Sequence, residues 1–173
     1  MTTSLIAAAA AFVLTLTITP LAGRLARKLG MLDHPDARLK RHEAPTPYLG
    51  GAAVAIGFGA ALAGVKLVFT GTLIGVVGVL TGSALVALVG LVDDFKALAP
   101  STKFLGQIAA ALILVACNMK LQFIPDPVLA TVLTLFWVVG VTNAMNLIDI
   151  MDGLASGVSA VAAVWFFLIA LQN

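Results

Sequence analysis

"VLATVLTLFWVVGVTNAMNLIDIMDGLASG", residues 128–157, opens as an apolar run and closes on two asparagines and two aspartates. Continued to about Leu147, the run reaches the roughly 20 apolar residues that a helix needs to cross a bilayer. Asn143, Asn146, Asp149 and Asp152 then recur at every third position. Such groups are costly in hydrocarbon unless they are paired or reach water, so at the rim of a span they mark a functional site. The stretch therefore reads as a membrane-crossing helix with chemistry at one membrane face.

The rest of the chain agrees. It is 61% hydrophobic and 10% charged, with a mean hydropathy of +1.09, whereas a soluble domain carries about a quarter charged residues. Ala, Leu, Val and Gly dominate, which suits helices packed through small residues and not the alternating strands of an outer-membrane barrel. The expected fold is all-α: a polytopic integral membrane protein, one helical domain over residues 1–173. A single cysteine, Cys117, excludes an internal disulfide and any paired-cysteine metal framework.

Six spans can be cut from the chain: Ser4–Ala22, Gly51–Phe69, Thr72–Val92, Phe104–Cys117, Val128–Leu147 and Leu154–Leu171. Arg24, Arg27, Lys28, Arg38, Lys40 and Arg41 crowd the connection after the first span, the usual mark of a cytoplasmic loop. No basic residue precedes the first span, so it reads as a retained helix with its N-terminus outside, not as a secretion signal. Alternate threading then makes residues 23–49, 93–103 and 148–153 cytoplasmic. Of the basic residues only Lys66 and Lys120 fall outside these loops, and of the acidic ones only Asp126.

Three constellations could carry chemistry. Asp93 and Asp94 stand together where the third span ends; adjacent carboxylates repel, and a hard cation such as Mg²⁺ relieves them where phosphates are handled. Helical neighbours diverge by about 100°, so one can hold metal while the other accepts a proton. The plainer reading is a solvated helix end partnered by Lys96. The Asn143, Asn146, Asp149, Asp152 series drifts about 60° per step and could face a cleft, although Asp149 or Asp152 could instead cap the sixth helix. Arg38, Lys40, Arg41 and His42, followed by "PTPYLGG", supply cations and a glycine pair that lets a backbone approach a ligand. A positive cytoplasmic loop needs no ligand, and His34 and His42 read more simply as loop residues than as metal ligands.

Together "DHPDARLKRHEAPTPYLGG", "GLVDDFKALAPSTKFLGQ" and "TNAMNLIDIMDGLASGVS", in that order, resemble the polytopic polyprenyl-phosphate N-acetylhexosamine-1-phosphate transferases. The resemblance implies an enzyme that moves a sugar 1-phosphate, GlcNAc-1-phosphate by preference, from a UDP-sugar to undecaprenyl phosphate. Magnesium is the implied cofactor, the inner membrane of a bacterial-type cell the implied location, and its cytoplasmic face the active one. It implies Asp93, Asp94, Asp149 and Asp152 as catalytic residues. Lys40, His42, Asn143, Asn146 and Lys103 are implied to bind substrate, and Asn146, Asp93 and Asp94 to hold the metal. The UDP-sugar, the polyprenyl phosphate lipid and the membrane are the expected partners; nucleic acid is not, and a homodimer is allowed.

Two departures bear on this reading. The family commonly reads Asp-Gly-Leu-Asp-Gly where this chain has "DIMDG", which touches backbone freedom and donor selectivity. Family members are also about twice as long, with a further metal-binding Asp and a His-rich loop in their second half, so an N-terminal part with little activity alone is expected. The alternatives are the phospho-MurNAc-pentapeptide transferase branch, a secondary transporter and a non-catalytic scaffold. A transporter is disfavoured because the acids cluster at one rim instead of on broken helices at the midplane.

Overall fold

The computed structural model describes residues 2–33, 45–70, 74–151 and 153–170. Its helices are α1 (Thr2–Leu29), α2 (Gly50–Thr70), α3 (Ile74–Phe95), α4 (Pro100–Ala116), α5 (Pro127–Ile148) and α6 (Leu154–Ala170). A two-residue antiparallel ladder, β1 (Leu32–Asp33) with β2 (Thr46–Pro47), pairs Leu32 with Pro47 and Asp33 with Thr46. The chain is an all-α polytopic membrane protein: α1, α2, α3 and α5 are long and apolar enough to cross a bilayer. Over the described residues α4 and α6 are shorter, 17 residues each, or about 25 Å of helix.

The helix ends follow local chemistry. α1 runs past the expected stop at Ala22 because Arg24, Leu25, Arg27 and Lys28 are sound helix formers. It stops at Gly30, whose φ of 70° is in the left-handed region. There the Gly30 N–H bonds the Arg27 carbonyl and the Met31 N–H the Ala26 carbonyl, the paired C-terminal cap that glycine favours. α4 closes with the same pair of bonds around Asn118, at φ 61°. Pro100 and Pro127 open α4 and α5, where a missing N–H costs nothing.

The chain divides into two compact units, Thr2–Met119 and Lys120–Asn173. In the first, α1 packs along α2 and α3 against α4. Ala26 and Ala111 are wholly buried, and Ala53, Ala61 and Ala110 nearly so, while Phe12, Leu16, Val68 and Leu105 point outward. This inversion of the soluble pattern follows from the solvent. In lipid, apolar side chains gain little by hiding, and association depends on backbones coming close. A Cβ on Gly57 of α2 would stand 2.9 Å from the Thr15 backbone nitrogen of α1, and one on Gly78 of α3 2.6 Å from the Cys117 Cβ.

In the second unit Asp126 is the N-cap of α5, its Oδ1 accepting the Leu129 N–H at 2.7 Å. The chain before it is tied back to α5, the Leu121 N–H donating to Thr134 Oγ1 at 3.1 Å. The outlying acid of the threading thus has a structural task at a helix start.

Candidate functional site

At the end of α3 the two neighbouring aspartates have different surroundings. Asp93 turns toward α4: its Oδ1 accepts the Leu98 N–H at 2.9 Å and its Oδ2 meets Lys103 Nζ at 2.6 Å. This carboxylate is 26% exposed and pairs with an ammonium 38% exposed, so solvent screens part of the attraction. The partner is Lys103, in the first turns of α4; Lys96, expected beside the pair, is exposed in the connection. Asp94 is exposed on the rim.

The described ends of the first connection meet at the same end. β1 and β2 clip these ends together, and Tyr48 follows β2, two positions before α2 begins at Gly50. The Tyr48 hydroxyl donates to Asp33 Oδ1 at 3.0 Å, and its ring meets Phe95 edge-on, centroids 5.9 Å apart at 66°. An open cleft of about 400 Å³ results, lined by Asp33, Tyr48, Gly50, Gly51, Asp93 and Asp94 along with the β2 strand. A Cβ at Gly50 or Gly51 would meet nothing within 4 Å. The glycine pair thus leaves the start of α2 bare toward the cleft, where free helix N–H groups favour an anion.

Of the residues expected at the site, Asp93, Asp94 and Lys103 come together here. Asn143 and Asn146 lie in the last turns of α5 and Asp149 at its C-cap, all three exposed. Asn143 Nδ2 donates to the Val139 carbonyl of its own helix at 2.8 Å. Asp149 does not cap α6, which begins at Leu154 after Gly153 at φ 79°. Lys40, His42 and Asp152, together with Arg38, Arg41 and His34, lie outside the described residues.

Among the described residues no group of three or more His, Cys, Asp or Glu converges closely enough to hold a metal ion. Both oxygens of Asp93 are engaged by nitrogen donors, and Asp94 lines the cleft beside it. Asp33 and Tyr48 are the site residues that sequence reasoning missed. Asp33 sits inside the first motif and Tyr48 one residue short of the glycine pair, but nothing in the spacing joins either to Phe95.

Comparison with known proteins matches residues 76–173 to the family model for glycosyl transferase family 4. The chain is 35% identical over 167 residues to a probable undecaprenyl-phosphate N-acetylglucosaminyl 1-phosphate transferase of Bacillus subtilis, covering 91% of this chain and 46% of that protein. It is 35% identical over 169 residues to the decaprenyl-phosphate N-acetylglucosaminephosphotransferase of Mycobacterium leprae, covering 88% and 42%. It is 33% identical over 190 aligned positions to the phospho-N-acetylmuramoyl-pentapeptide-transferase of Thermotoga neapolitana, covering 92% and 57%. The chain spans about half the length of these relatives. No solved structure matches it. With more than half of its residues inside the family match, and the DD and Asn-rich motifs both within it, the chain belongs to glycosyl transferase family 4.

Proposed function

We propose that this chain forms part of an integral membrane enzyme that transfers a sugar 1-phosphate from a UDP-sugar to a polyprenyl phosphate, releasing UMP. The observation that carries the reading is the cleft at one end of α1–α4, where Asp94 stands beside the bare start of α2. An anion can rest against free helix amides there while a carboxylate takes up a proton or a cation. The relatives' names point to GlcNAc-1-phosphate as the group moved and to undecaprenyl or decaprenyl phosphate as acceptor.

Magnesium is the proposed cofactor; Asp94 in the first unit and Asn146 in the second are each a candidate to hold it. When bound, the ion would screen the repulsion between two phosphate-bearing substrates. Asp93 fits a ligand role poorly, because Leu98 and Lys103 already occupy its oxygens. Asp149, Asp152, Lys40, His42 and Asn143 are proposed to line the nucleotide-sugar side. Arg24, Arg27 and Lys28 lie at the end of α1 that leads into the cleft. The positive-inside bias therefore supports a cytoplasmic cleft in an inner membrane.

The test is transfer of labelled GlcNAc-1-phosphate from UDP-GlcNAc to undecaprenyl phosphate by membranes carrying the full-length gene product. Product is expected with Mg²⁺, lost with a chelator and lost in Asp94→Asn. The Thermotoga relative supports a second reading, in which UDP-MurNAc-pentapeptide is the donor; preferential turnover of that donor would select it. Absence of product with either donor would remove the proposal.

A further inference from the structure

Tyr48 makes three separate contacts, none of which the acidic or basic motifs foretell. Its N–H donates to the Met31 carbonyl at 3.3 Å, its hydroxyl to Asp33 Oδ1 at 3.0 Å, and its ring edge packs against Phe95. Met31 and Asp33 belong to the end of the first connection that leaves α1, whereas Phe95 is the residue after Asp94. One half-buried side chain thus fastens the start of α2, the exit of α1 and the last residue of α3 together. On the other side of Asp94, Asp93 is clipped to Lys103 and to the Leu98 N–H. Both neighbours of Asp94 are therefore anchored by residues from other elements.

We infer that Asp33 and Tyr48 are positioning residues: through the ring contact to Phe95 they hold the acidic end of α3 beside the glycine start of α2, so that Asp94 faces the cleft. The inference rests on the proposed transferase reading for its catalytic consequence. Its structural content does not depend on it. A hydroxyl bonded to a carboxylate has a direction as well as a distance, and an edge-on aromatic pair fixes ring orientation. Loosening either lets the end of α3 sample other placements, and small misplacements of reacting groups are costly in rate.

The experiment uses the full-length protein in membranes or detergent. Tyr48→Phe keeps the ring and removes only the hydroxyl, Asp33→Asn keeps an acceptor oxygen and removes the charge, and Tyr48→Leu removes the ring contact. Expected is a kcat lowered about tenfold in Tyr48→Phe with KM for the UDP-sugar little changed, a smaller loss in Asp33→Asn, and a larger one in Tyr48→Leu. The Asp33→Asn, Tyr48→Phe double variant should lose less than the product of the two single losses. Rates are normalised to folded protein, so misfolding alone leaves kcat where it was.

Amide hydrogen exchange supplies a readout independent of activity. Residues 45–51 and 93–98 should exchange faster in Tyr48→Phe and Tyr48→Leu, while the middle of α4 should not change. Wild-type exchange and wild-type kcat in Tyr48→Phe would overturn the inference, as would independent, multiplicative losses in the double variant. If the wild-type protein transfers no sugar phosphate to any acceptor, the transferase reading fails, and the exchange rates still decide whether Tyr48 fastens this end.

Discussion

The polar end of α3 and the polar end of α5 carry similar residues and are held in different ways. At the end of α3, Asp93 is bound to Lys103 and Leu98 of the following connection and helix, and Phe95 is met by Tyr48 from the first connection. At the end of α5, Asn143 bonds to Val139 one turn back in its own helix, and Asn146 and Asp149 stand exposed. The first arrangement is a tertiary construction; the second is a helix end. The difference shows that a row of carboxylates and amides at a membrane rim is not one kind of feature. Some of its members, such as Asp93, are held by other elements, and others, such as Asn146, lie at an exposed helix end.

Substitutions at four positions test that distinction, beginning with the largest effect. Asp94→Asn should lower the transfer rate by about a hundredfold or more, the range associated with losing a positioned proton acceptor or charge, with no large change in thermal stability; a rate within a few-fold of wild type would move the chemistry away from α3. Gly57→Val should destabilise the α1–α2 pair by about 2–3 kcal/mol, since even a Cβ would crowd the Thr15 backbone. A melting temperature equal to wild type would show that this helix contact does not support the cleft.

Asp93→Ala should come next, at about 1–2 kcal/mol, because it strands the Leu98 N–H and frees a partly screened Lys103. Its melting temperature should fall, and Asp93→Asn, which can still accept from Leu98, should fall less. Equal losses would mean that the ion pair, not the backbone bond, fastens the turn. Asp126→Ala should cost about 1 kcal/mol by removing the cap of α5. The loss should appear as faster hydrogen exchange confined to the first turn of α5; spread to α3 or α4 would erase the contrast between a local hold and a tertiary one.

Much of the fold was legible because lipid leaves few options. A run of apolar residues as long as Val128 to Leu147 must satisfy its own backbone, and a helix does so within one segment. Each of the six apolar runs corresponds to a helix, four of them long enough to cross a bilayer. The boundaries were less legible: α1 continues to Leu29 because its basic turn is as helical as its apolar one, and only Gly30 ends it. The assignment of Lys96 to the acidic pair rested on nearness in sequence. The structure selects Lys103, because the turn into α4 brings that side chain back over Asp93.

The site divides in the same manner. That Asp93 and Asp94 point apart follows from helix geometry alone. That Lys103 and the Leu98 N–H meet Asp93 depends on where α4 begins, and so on Pro100 and the connection before it. Asp33 and Tyr48 could not be joined to Phe95 from spacing, because the contact crosses from the first connection to the third helix.

By itself the sequence determined the solvent this protein folds in, the helical class, the membership of its motifs in one family and the clustering of its acids at span ends. Each of these follows from composition, from period or from residues near one another along the chain. Only the tertiary structure decided that Lys103 answers Asp93, that Tyr48 fastens Asp33 and Phe95 around the cleft, and that alanine and glycine form the buried seam. Those outcomes depend on distances between helices, which small residues permit and no local pattern specifies.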